Sequence, residues 1–321
     1  MTRVLVTGAT GFVGRVLCEA LAGSGHLVRA ALRTDRSVPT SISEKVIVGD
    51  IHGSTDWAEA LDGVDAVIHA AARTHVLNAP PASARLYRET NERGTERLAS
   101  EAARMKVSRF VFLSSVKVNG EETEVRAFRA CDEPRPQDDY GLSKWHAEQH
   151  VLEIGGGSAM QAVIVRAPLV YGSGVRANFL RLLQWVDRGW PLPLGAVRNA
   201  RSLVSVWNLC DLLLLALTHP RAPARIWLVS DGEDLSTPDL IRRIASAMGR
   251  RARLLSVPLA LLCPSAALLG RGGEFKRLCG SLTVDISQTR AQLAWSPPMR
   301  LDEALARTVA WYRSRGQSDA A

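Results

Sequence analysis

Three polar residues have the types and spacing that acid–base chemistry on a hydroxyl or carbonyl group requires. Tyr140 and Lys144 stand four residues apart in a segment that opens a helix, so they share one helix face. A free tyrosine has a pKa of about 10 and is a poor base at neutral pH, but a neighbouring ammonium group lowers that pKa. Ser115 ends an apolar strand and can hydrogen-bond the same substrate oxygen. We therefore predict that Tyr140 transfers a proton with the help of Lys144 and Ser115.

A glycine-rich stretch near the N-terminus, Thr7-Gly-Ala-Thr-Gly-Phe-Val-Gly14, predicts a dinucleotide site. It lies between a short apolar run, Val4–Thr7, and an amphipathic run, Phe12–Leu21, which indicates a strand, a turn and a helix. Glycine suits the sharp turn, the close backbone approach to a pyrophosphate and the tight packing of helix on strand, at Gly8, Gly11 and Gly14 in that order. The anion then lies at the positive end of the helix. A purely structural turn is the alternative interpretation.

The order of the segments predicts the fold. Strand-like runs alternate with helical runs through the first half of the chain, which is typical of a parallel, doubly wound Rossmann-type sheet in an α/β protein. The predicted strands are Val4–Thr7, Leu27–Leu32, Val46–Gly49, Ala66–His69, Phe110–Leu113 and Ala162–Val165. The predicted helices between them are Phe12–Leu21, Ser83–Arg104 and Tyr140–Ile154. We expect His69, inside the fourth strand, to be a core residue rather than a catalyst.

Beyond Gly172 the pattern changes, and we predict a smaller C-terminal α/β lobe that binds the substrate. Helical runs there alternate with short strands and proline-rich links, and these runs are Asn178–Arg188, Ser236–Met248, Leu259–Leu269 and Leu301–Arg313. We place the dinucleotide-binding domain at residues 1–172 and the substrate lobe at 173–321, with about 201–230 returning to the Rossmann unit. A chain of 321 residues is long enough for both units.

Composition excludes several classes of function. The hydrophobic content of 46%, the charged content of 22% and a net charge of +8 carried mostly by scattered arginines describe a globular protein without the basic, aromatic-rich runs of a nucleic-acid binder. The apolar run at 254–270 is short for a membrane span and contains Pro258 and Pro264, so we expect a packed helix, with peripheral membrane contact as the alternative. Five scattered cysteines without a Cys-x-x-Cys pair, and no signal peptide, predict a cytoplasmic protein without a metal site.

The ends of the second and third strands indicate which dinucleotide binds. The first polar residue after the second strand is Arg33, which could pair with the 2′-phosphate of NADP(H). Asp35 keeps NAD(H) open, because an acidic residue there accepts a hydrogen bond from the ribose 2′-hydroxyl. Asp50 could bond the adenine amine while Ile51 packs on the ring, and a helix cap is the alternative role for Asp50. Because of Arg33, we predict NADP(H), with NAD(H) as the second choice.

These motifs, in this order, resemble the extended short-chain dehydrogenase/reductase family, and most closely its nucleotide-sugar members of the NAD-dependent epimerase/dehydratase (UDP-glucose 4-epimerase-like) kind. The resemblance extends over nearly the whole chain, and its further parts are Asp50-Ile51, Ala70-Ala-Ala72, Asn91, Gly94-Thr95, Ser114-Ser115, Arg166-Ala-Pro-Leu-Val-Tyr-Gly172 and Arg201-Ser-Leu-Val-Ser-Val206. It implies a nucleotide-sugar substrate, with UDP as the expected nucleotide, and a homodimer formed through the helices around 83–104 and 140–154.

The motifs and the resemblance together assign three groups of site residues. The catalytic set is Ser115, Tyr140 and Lys144. The residues assigned to the cofactor are Gly8, Gly11, Phe12, Val13, Gly14, Arg33, Asp50, Ile51, Ala70, Ala71, Ala72, Asn91, Tyr140, Lys144 and Pro168. Substrate contacts are assigned to Ser115, Asn178 and Arg201, because a guanidinium suits a diphosphate. For Asn178 and Arg201, ordinary surface positions are the alternative interpretation.

The expected activity is hydride transfer at C4 of a nucleotide sugar. Dehydratases that resemble this chain carry Asp-Glu directly after the serine or threonine, whereas Val116 and Lys117 stand here, so we expect no loss of water. Since Arg33 favours NADP(H), we predict a reductase of a UDP-4-keto-deoxy or N-acetyl sugar for surface polysaccharide, with a UDP-sugar 4-epimerase as the alternative. Two further alternatives are a reductase of apolar carbonyl compounds, which would need no phosphate clamp such as Arg201, and a non-catalytic NADP-binding regulator, which would need no Tyr–Lys pair.

Overall fold

The computed structural model of the protein describes residues 1–74, 83–261 and 278–318. Its strands are β1 Arg3–Thr7, β2 Leu27–Leu32, β3 Glu44–Ile47, β4 Ala66–His69, β5 Arg109–Ser115, β6 Gln161–Ala167, β7 Leu169–Tyr171, β8 Arg201–Ser205, β9 Arg225–Leu228 and β10 Asp234–Leu235. Seven of them form a sheet of order β3-β2-β1-β4-β5-β6-β9 in which each neighbouring pair is parallel. The predicted doubly wound Rossmann-type sheet is therefore confirmed, and its strand order reverses between β1 and β4, where such sheets bind ligands.

Helices cover both faces of this sheet. The helices are α1 Phe12–Gly23, α2 Ala58–Leu61, α3 Ser83–Tyr87, α4 Gly94–Arg104, α5 Asp139–Gly156, α6 Ala177–Asp187, α7 Val206–Thr218, α8 Thr237–Ala247, α9 Ser287–Leu293 and α10 Leu301–Ser318. One core packs α1 and α7 against the sheet, and a second packs α2, α4 and α5 against its other face. The burial of these apolar faces holds the strand ends in register, so the residues at their carboxyl ends have fixed positions.

The C-terminal lobe has a core of its own. Helices α6, α8 and α10 bury their apolar faces together beside a small sheet of order β10-β8-β7. The Asp231 carboxylate, which follows β9 of the main sheet, accepts hydrogen bonds from the Ser205 amide at 2.9 Å, from Asn208 Nδ2 at 2.7 Å and from the Tyr171 hydroxyl at 2.7 Å. This buried carboxylate thus ties the two sheets together, and the division of the chain into two domains stays a prediction.

Some predicted bounds differ from the observed ones for physical reasons. The predicted helix Ser83–Arg104 is interrupted by a π-helical turn, Arg88–Arg93, whose extra residue per turn brings Asn91 into the interior. Strand β3 begins earlier than predicted, at Glu44, because that residue pairs with Arg29 of β2 in register and in a 2.6 Å ion pair. Most of the predicted helix Leu259–Leu269 lies outside the described residues.

No helix within the described ranges is both long and apolar enough to cross a membrane. Four cysteines are free thiols, namely Cys18, Cys131, Cys210 and Cys279. The fifth, Cys263, lies outside the described residues.

Candidate active site

The glycine turn between β1 and α1 forms a cradle that side chains would fill. Gly8 has a φ of +69°, and a Cβ atom there would lie 2.9 Å from the backbone of the loop after β4. A Cβ atom on Gly14 would come 2.0 Å from the Gly8 carbonyl oxygen, so α1 lies directly against the strand end. Gly11 precedes α1 and offers its first turn no side-chain cap, and that turn begins at Phe12 and Val13. Open amides at the positive end of a helix fit the pyrophosphate of a dinucleotide.

The loop after β4 forms the opposite wall of this cradle. Its small residues, Ala70–Ala72, are partly buried, and the next residue, Arg73, is held by Asn91. The Asn91 side chain accepts from the Arg73 amide at 2.8 Å and donates to the Arg73 carbonyl at 3.0 Å and to Ser143 Oγ at 3.0 Å. Asn91 was assigned to the cofactor, but its bonds join the loop to α5. These bonds hold the loop that forms the wall of the cradle, and a contact between Asn91 and the cofactor stays a prediction.

His69 lies in the core beneath this loop, as its place in β4 indicates. The Ala71 amide donates to Thr7 Oγ1 at 3.1 Å, and Thr7 Oγ1 donates to His69 Nδ1 at 2.6 Å. His69 Nε2 lies 2.9 Å from Thr95 Oγ1, which donates to the Asn91 carbonyl at 2.6 Å. Each hydroxyl has one proton, so this order assigns the imidazole proton to Nε2. Burial, and then the Lys144 charge, lowers the pKa of His69 to about 3, and the ring stays neutral.

The residues that follow β2 and β3, which are predicted to bind the adenosine half of the cofactor, form ion pairs. Arg33 Nη1 lies 3.5 Å from Asp50 Oδ1, and both side chains are about three-quarters exposed, at 74% and 75%. Asp35 instead pairs with Lys45 at 2.6 Å. Ile51 is partly buried next to Asp50, where it can pack on a flat ring. The residue predicted to bind a 2′-phosphate therefore already faces a carboxylate, which the sequence interpretation of Arg33 did not consider.

The three catalytic candidates lie together at the carboxyl end of the sheet. Ser115 ends β5 and hydrogen-bonds the Tyr140 hydroxyl from the first turn of α5. Lys144 is 1% exposed, and its Nζ donates to the Leu113 carbonyl at 2.7 Å and lies 3.9 Å from the centre of the Phe112 ring. Their arrangement suits proton transfer at an oxygen held between the serine and the tyrosine.

The pKa values correct one expectation. Burial, and then the charge of Asp138, raises the pKa of Tyr140 to about 12, against the lowering effect of the Ser115 hydrogen bond. Burial lowers the pKa of Lys144 to about 7, which the nearby Glu148 opposes. The expectation that Lys144 lowers the pKa of Tyr140 does not hold in the protein by itself, because burial of the phenolate and the negative charge of Asp138 both raise that pKa. A further positive charge beside Tyr140 would lower that pKa.

The two residues assigned to a substrate diphosphate lie on separate elements of the C-terminal lobe. Asn178 is exposed in the first turn of α6, where its oxygen accepts a bond from Arg181. Arg201 opens β8 and donates to the Gly280 carbonyl at 2.9 Å. Pro168 is buried between β6 and β7. The substrate and cofactor roles of these residues stay predictions.

Comparisons with known proteins agree with this arrangement. The model of the NAD dependent epimerase/dehydratase family matches residues 4–229. A UDP-glucose 4-epimerase from Vibrio cholerae is 42% identical over 310 residues, which cover 95% of this chain and 94% of that protein. The chain belongs to the NAD-dependent epimerase/dehydratase family. It is an NAD(P)-dependent enzyme of the extended short-chain dehydrogenase/reductase type.

Two further relatives show the breadth of this epimerase/dehydratase family. A 3 beta-hydroxysteroid dehydrogenase/Delta 5→4-isomerase from Mycobacterium tuberculosis (strain ATCC 25618 / H37Rv) is 31% identical over 265 residues, 78% of this chain and 70% of that protein. The solved structure of MoeE5 in complex with UDP-glucose and NAD matches with a TM-score of 0.77 and 26% identity, over 98% of this chain and 99% of that one. The fold is thus shared along the whole chain.

The sequence did not predict a buried charged cluster that this epimerase-family enzyme carries below its catalytic residues. Arg166 of β6 and Glu148 of α5 are 1% and 2% exposed and are joined by two parallel bonds of 2.9 and 2.6 Å. Ser114 also donates to Glu148, and Arg166 donates to Asn119 at 3.0 Å. Two signals could have found this cluster, an arginine inside an otherwise apolar strand and a glutamate one turn after Lys144.

Removal of one member of this ion pair should destabilise the protein strongly. We expect Arg166→Met to lower the free energy of unfolding by about 3–5 kcal/mol, because it leaves the Glu148 carboxylate buried without its partner. The double variant Arg166→Met/Glu148→Leu should recover most of that loss, since it removes both charges. Urea denaturation followed by circular dichroism measures both values. An Arg166→Met protein within 1 kcal/mol of the wild type would contradict the assigned role.

Proposed function

We propose that this protein is an NAD-dependent 4-epimerase of a UDP-sugar. The observation that carries the proposal is the likeness to the Vibrio cholerae UDP-glucose 4-epimerase over nearly the whole chain. The site supports it, because Ser115 interacts with the hydroxyl of Tyr140 at the carboxyl end of β5, and the glycine turn follows the carboxyl end of the parallel strand β1. MoeE5, a relative of known structure, binds UDP-glucose and NAD. The homodimer and the cytoplasmic location stay predictions.

The sequence favoured a 4-keto reductase because Arg33 could bind the 2′-phosphate of NADP. In the structure Arg33 faces the Asp50 carboxylate, whose negative charge opposes a second phosphate at the same place. A reductase must also exchange its cofactor in every turnover, whereas an epimerase returns the hydride to the same substrate. We therefore favour epimerisation with NAD over reduction with NADPH.

The proposed reaction assigns a separate task to each catalytic residue. Tyr140 takes the proton of the C4 hydroxyl during oxidation and returns a proton to that oxygen during reduction. Ser115 donates a hydrogen bond to the same oxygen, and Lys144 holds the nicotinamide ribose. NAD, when bound, accepts the C4 hydride and gives it back to the other face of the 4-keto sugar. The Lys117 side chain, where dehydratases carry an acid, is engaged by carboxylates, so no group there is set to remove water.

The steroid dehydrogenase among the relatives supports a second candidate, oxidoreduction of an apolar ring alcohol. Our reason to prefer a nucleotide sugar is Arg201, which is partly buried at the start of β8 with its guanidinium held by a backbone carbonyl. A guanidinium in a fixed orientation suits a diphosphate, and an apolar substrate has no use for it.

A panel of UDP-sugars tests the proposal. With UDP-glucose, UDP-galactose and their N-acetyl forms, we expect interconversion at C4 with no net change in NADH absorbance. With substrate deuterated at C4, the product should keep the deuterium, because the same hydride returns. NMR of the sugar product measures both outcomes. Net consumption of NADPH with a UDP-4-keto sugar and no epimerisation would establish the reductase instead, and turnover of a hydroxysteroid alone would establish the second candidate.

Tyr140→Phe should abolish turnover while cofactor binding changes little. The phenylalanine keeps the ring that packs edge-on against Tyr87 and removes only the hydroxyl that moves the proton. We expect kcat to fall at least a thousandfold, within the usual range for loss of a general acid–base group, and the Kd for NAD to stay within threefold. The matched control is Tyr312→Phe on α10, which should leave kcat unchanged. Substantial turnover by Tyr140→Phe would refute the assignment.

Arg33→Ala should have little effect on NAD affinity. Because Arg33 is exposed and paired with Asp50, we expect the Kd for NAD, measured by isothermal titration, to change by less than threefold. The wild type should bind NADP more weakly than NAD. The exposed neighbour Arg36 provides the control variant, Arg36→Ala. If the wild type binds NADP tenfold more tightly than NAD and Arg33→Ala loses that preference, Arg33 reads the 2′-phosphate after all.

A further inference from the structure

Lys117 connects the two elements that carry the catalytic residues. It lies in the short 3-10 turn Val116–Val118 that follows β5, and its backbone amide donates to Ser115 Oγ at 3.2 Å. The Ser115 oxygen accepts this bond, so its own proton is free to point towards Tyr140. The backbone of Lys117 therefore helps to orient the serine hydroxyl.

The side chain of Lys117 contacts the start of α5. Its Nζ lies 2.5 Å from Asp138 Oδ2 and 2.7 Å from Glu121 Oε1, and the lysine side chain is 20% exposed. Asp138 is the N-cap of α5, and its other oxygen accepts from the Gly141 amide at 2.7 Å. A Cβ atom on Gly141 would lie 2.9 Å from the Lys117 carbonyl, so the turn packs closely on the first turn of the helix.

Within the part of the chain that the structure describes, the groups that act on the pKa of the Tyr140 hydroxyl are Asp138, Tyr87 and Ser115. Asp138 stands two residues before Tyr140, and its negative charge raises the pKa of the phenol. Tyr87 of α3 lies edge-on to Tyr140, with ring centres 6.1 Å apart. On α5 itself, Lys144 is one turn further on and donates to the Leu113 carbonyl. Among the described residues, Asp138 is thus the charged group that acts on the phenol, and Lys117 forms an ion pair with it.

We propose that Lys117 is a positioning residue of the active site that fixes the Asp138 cap of α5 and balances its charge, so that Tyr140 can ionise. The proposal rests on the proposed function for its effect on turnover, but its geometry does not depend on the identity of the sugar. If Lys117 only held the helix in place, any two side chains of matching shape at positions 117 and 138 would serve equally well. Charge balance makes a further demand, because only a cation at position 117 satisfies it.

The test measures the pKa of Tyr140 directly in protein loaded with NAD. Tyrosine labelled with carbon-13 at Cζ gives one NMR signal for each of the four tyrosines, and Tyr140→Phe identifies the one required. We expect Lys117→Met to raise the Tyr140 pKa by about one unit, Lys117→Arg to leave it near the wild-type value, and Asp138→Asn to lower it. Asparagine also caps helices, so the last variant keeps the cap. The double variant Lys117→Met/Asp138→Asn should return towards the wild type.

Turnover provides the second reading. At pH values below the Tyr140 pKa, an increase of one unit in that pKa corresponds to about a tenfold lower kcat. Lys117→Met should therefore shift the acidic limb of the pH profile to higher pH, while KM stays within twofold of the wild-type value. Lys106→Met changes an exposed lysine between α4 and the amino end of β5, at the other end of the strand from Ser115, and should change neither reading. Thermal unfolding confirms that each variant is folded.

Two results would overturn the proposal: an unchanged Tyr140 pKa in Lys117→Met, or a double variant that keeps the full shift of Lys117→Met. If the wild type turns over none of the UDP-sugars, the proposed function fails, and the NMR titration still decides the role of Lys117.

Discussion

The chemistry of this protein depends on the separation between the end of β5 and the first turns of α5, because Ser115 lies on one and Tyr140 on the other. Apolar packing pulls the helix onto the sheet but is not directional, so it leaves rotation and sliding poorly specified. Two ion pairs fix the rotation and the axial position of α5. Glu148 binds Arg166 in the core, and Asp138 binds Lys117 at the rim, ten residues and about 15 Å away along the helix axis. A helix fixed at two such points can neither slide nor turn without breaking one of them.

A second constraint keeps the floor of the cofactor cradle uncharged. The chain of hydrogen bonds from the Ala71 amide through His69 to the Asn91 carbonyl has one direction only, because each donor already has its acceptor. A second proton on His69 would put a donor against the Thr7 proton, which agrees with its low pKa. The loop after β4 is thus held by neutral groups, and Lys144 is a buried cation whose charge acts on His69 beneath it. Because the groups that hold the loop carry no charge, the electrostatic field in the site is set by the catalytic groups.

Sequence patterns predicted strands and helices that have a regular apolar pattern. They missed features that depend on a contact with another part of the chain. Strands such as β2 and β4 were bounded correctly because an apolar run between polar turns is sufficient to define them. The π-helical turn at Asn91 was not, since its cause is a hydrogen bond to a loop far away in sequence. The role of Arg33 stays a prediction for the same reason: one residue type at a strand end predicts a phosphate, but the carboxylate of Asp50 opposite it is visible only in three dimensions. The Arg166–Glu148 pair likewise exists only once β6 and α5 are packed.

The pKa values of Tyr140 and Lys144 have a consequence for the proposed epimerisation, in which proton transfer runs in both directions. With the phenol near 12 and the ammonium near 7, the protein alone favours a protonated tyrosine, because burial penalises both charged forms. A positive charge beside Tyr140 favours loss of its proton, and removal of that charge favours its return. In the proposed epimerisation, a bound oxidised nicotinamide would supply such a charge and its reduced form would not, so Tyr140 would be the stronger base in the oxidation of the sugar. Tyr140 is partly buried, so a single nearby charge would act on its proton more strongly than it would in open water.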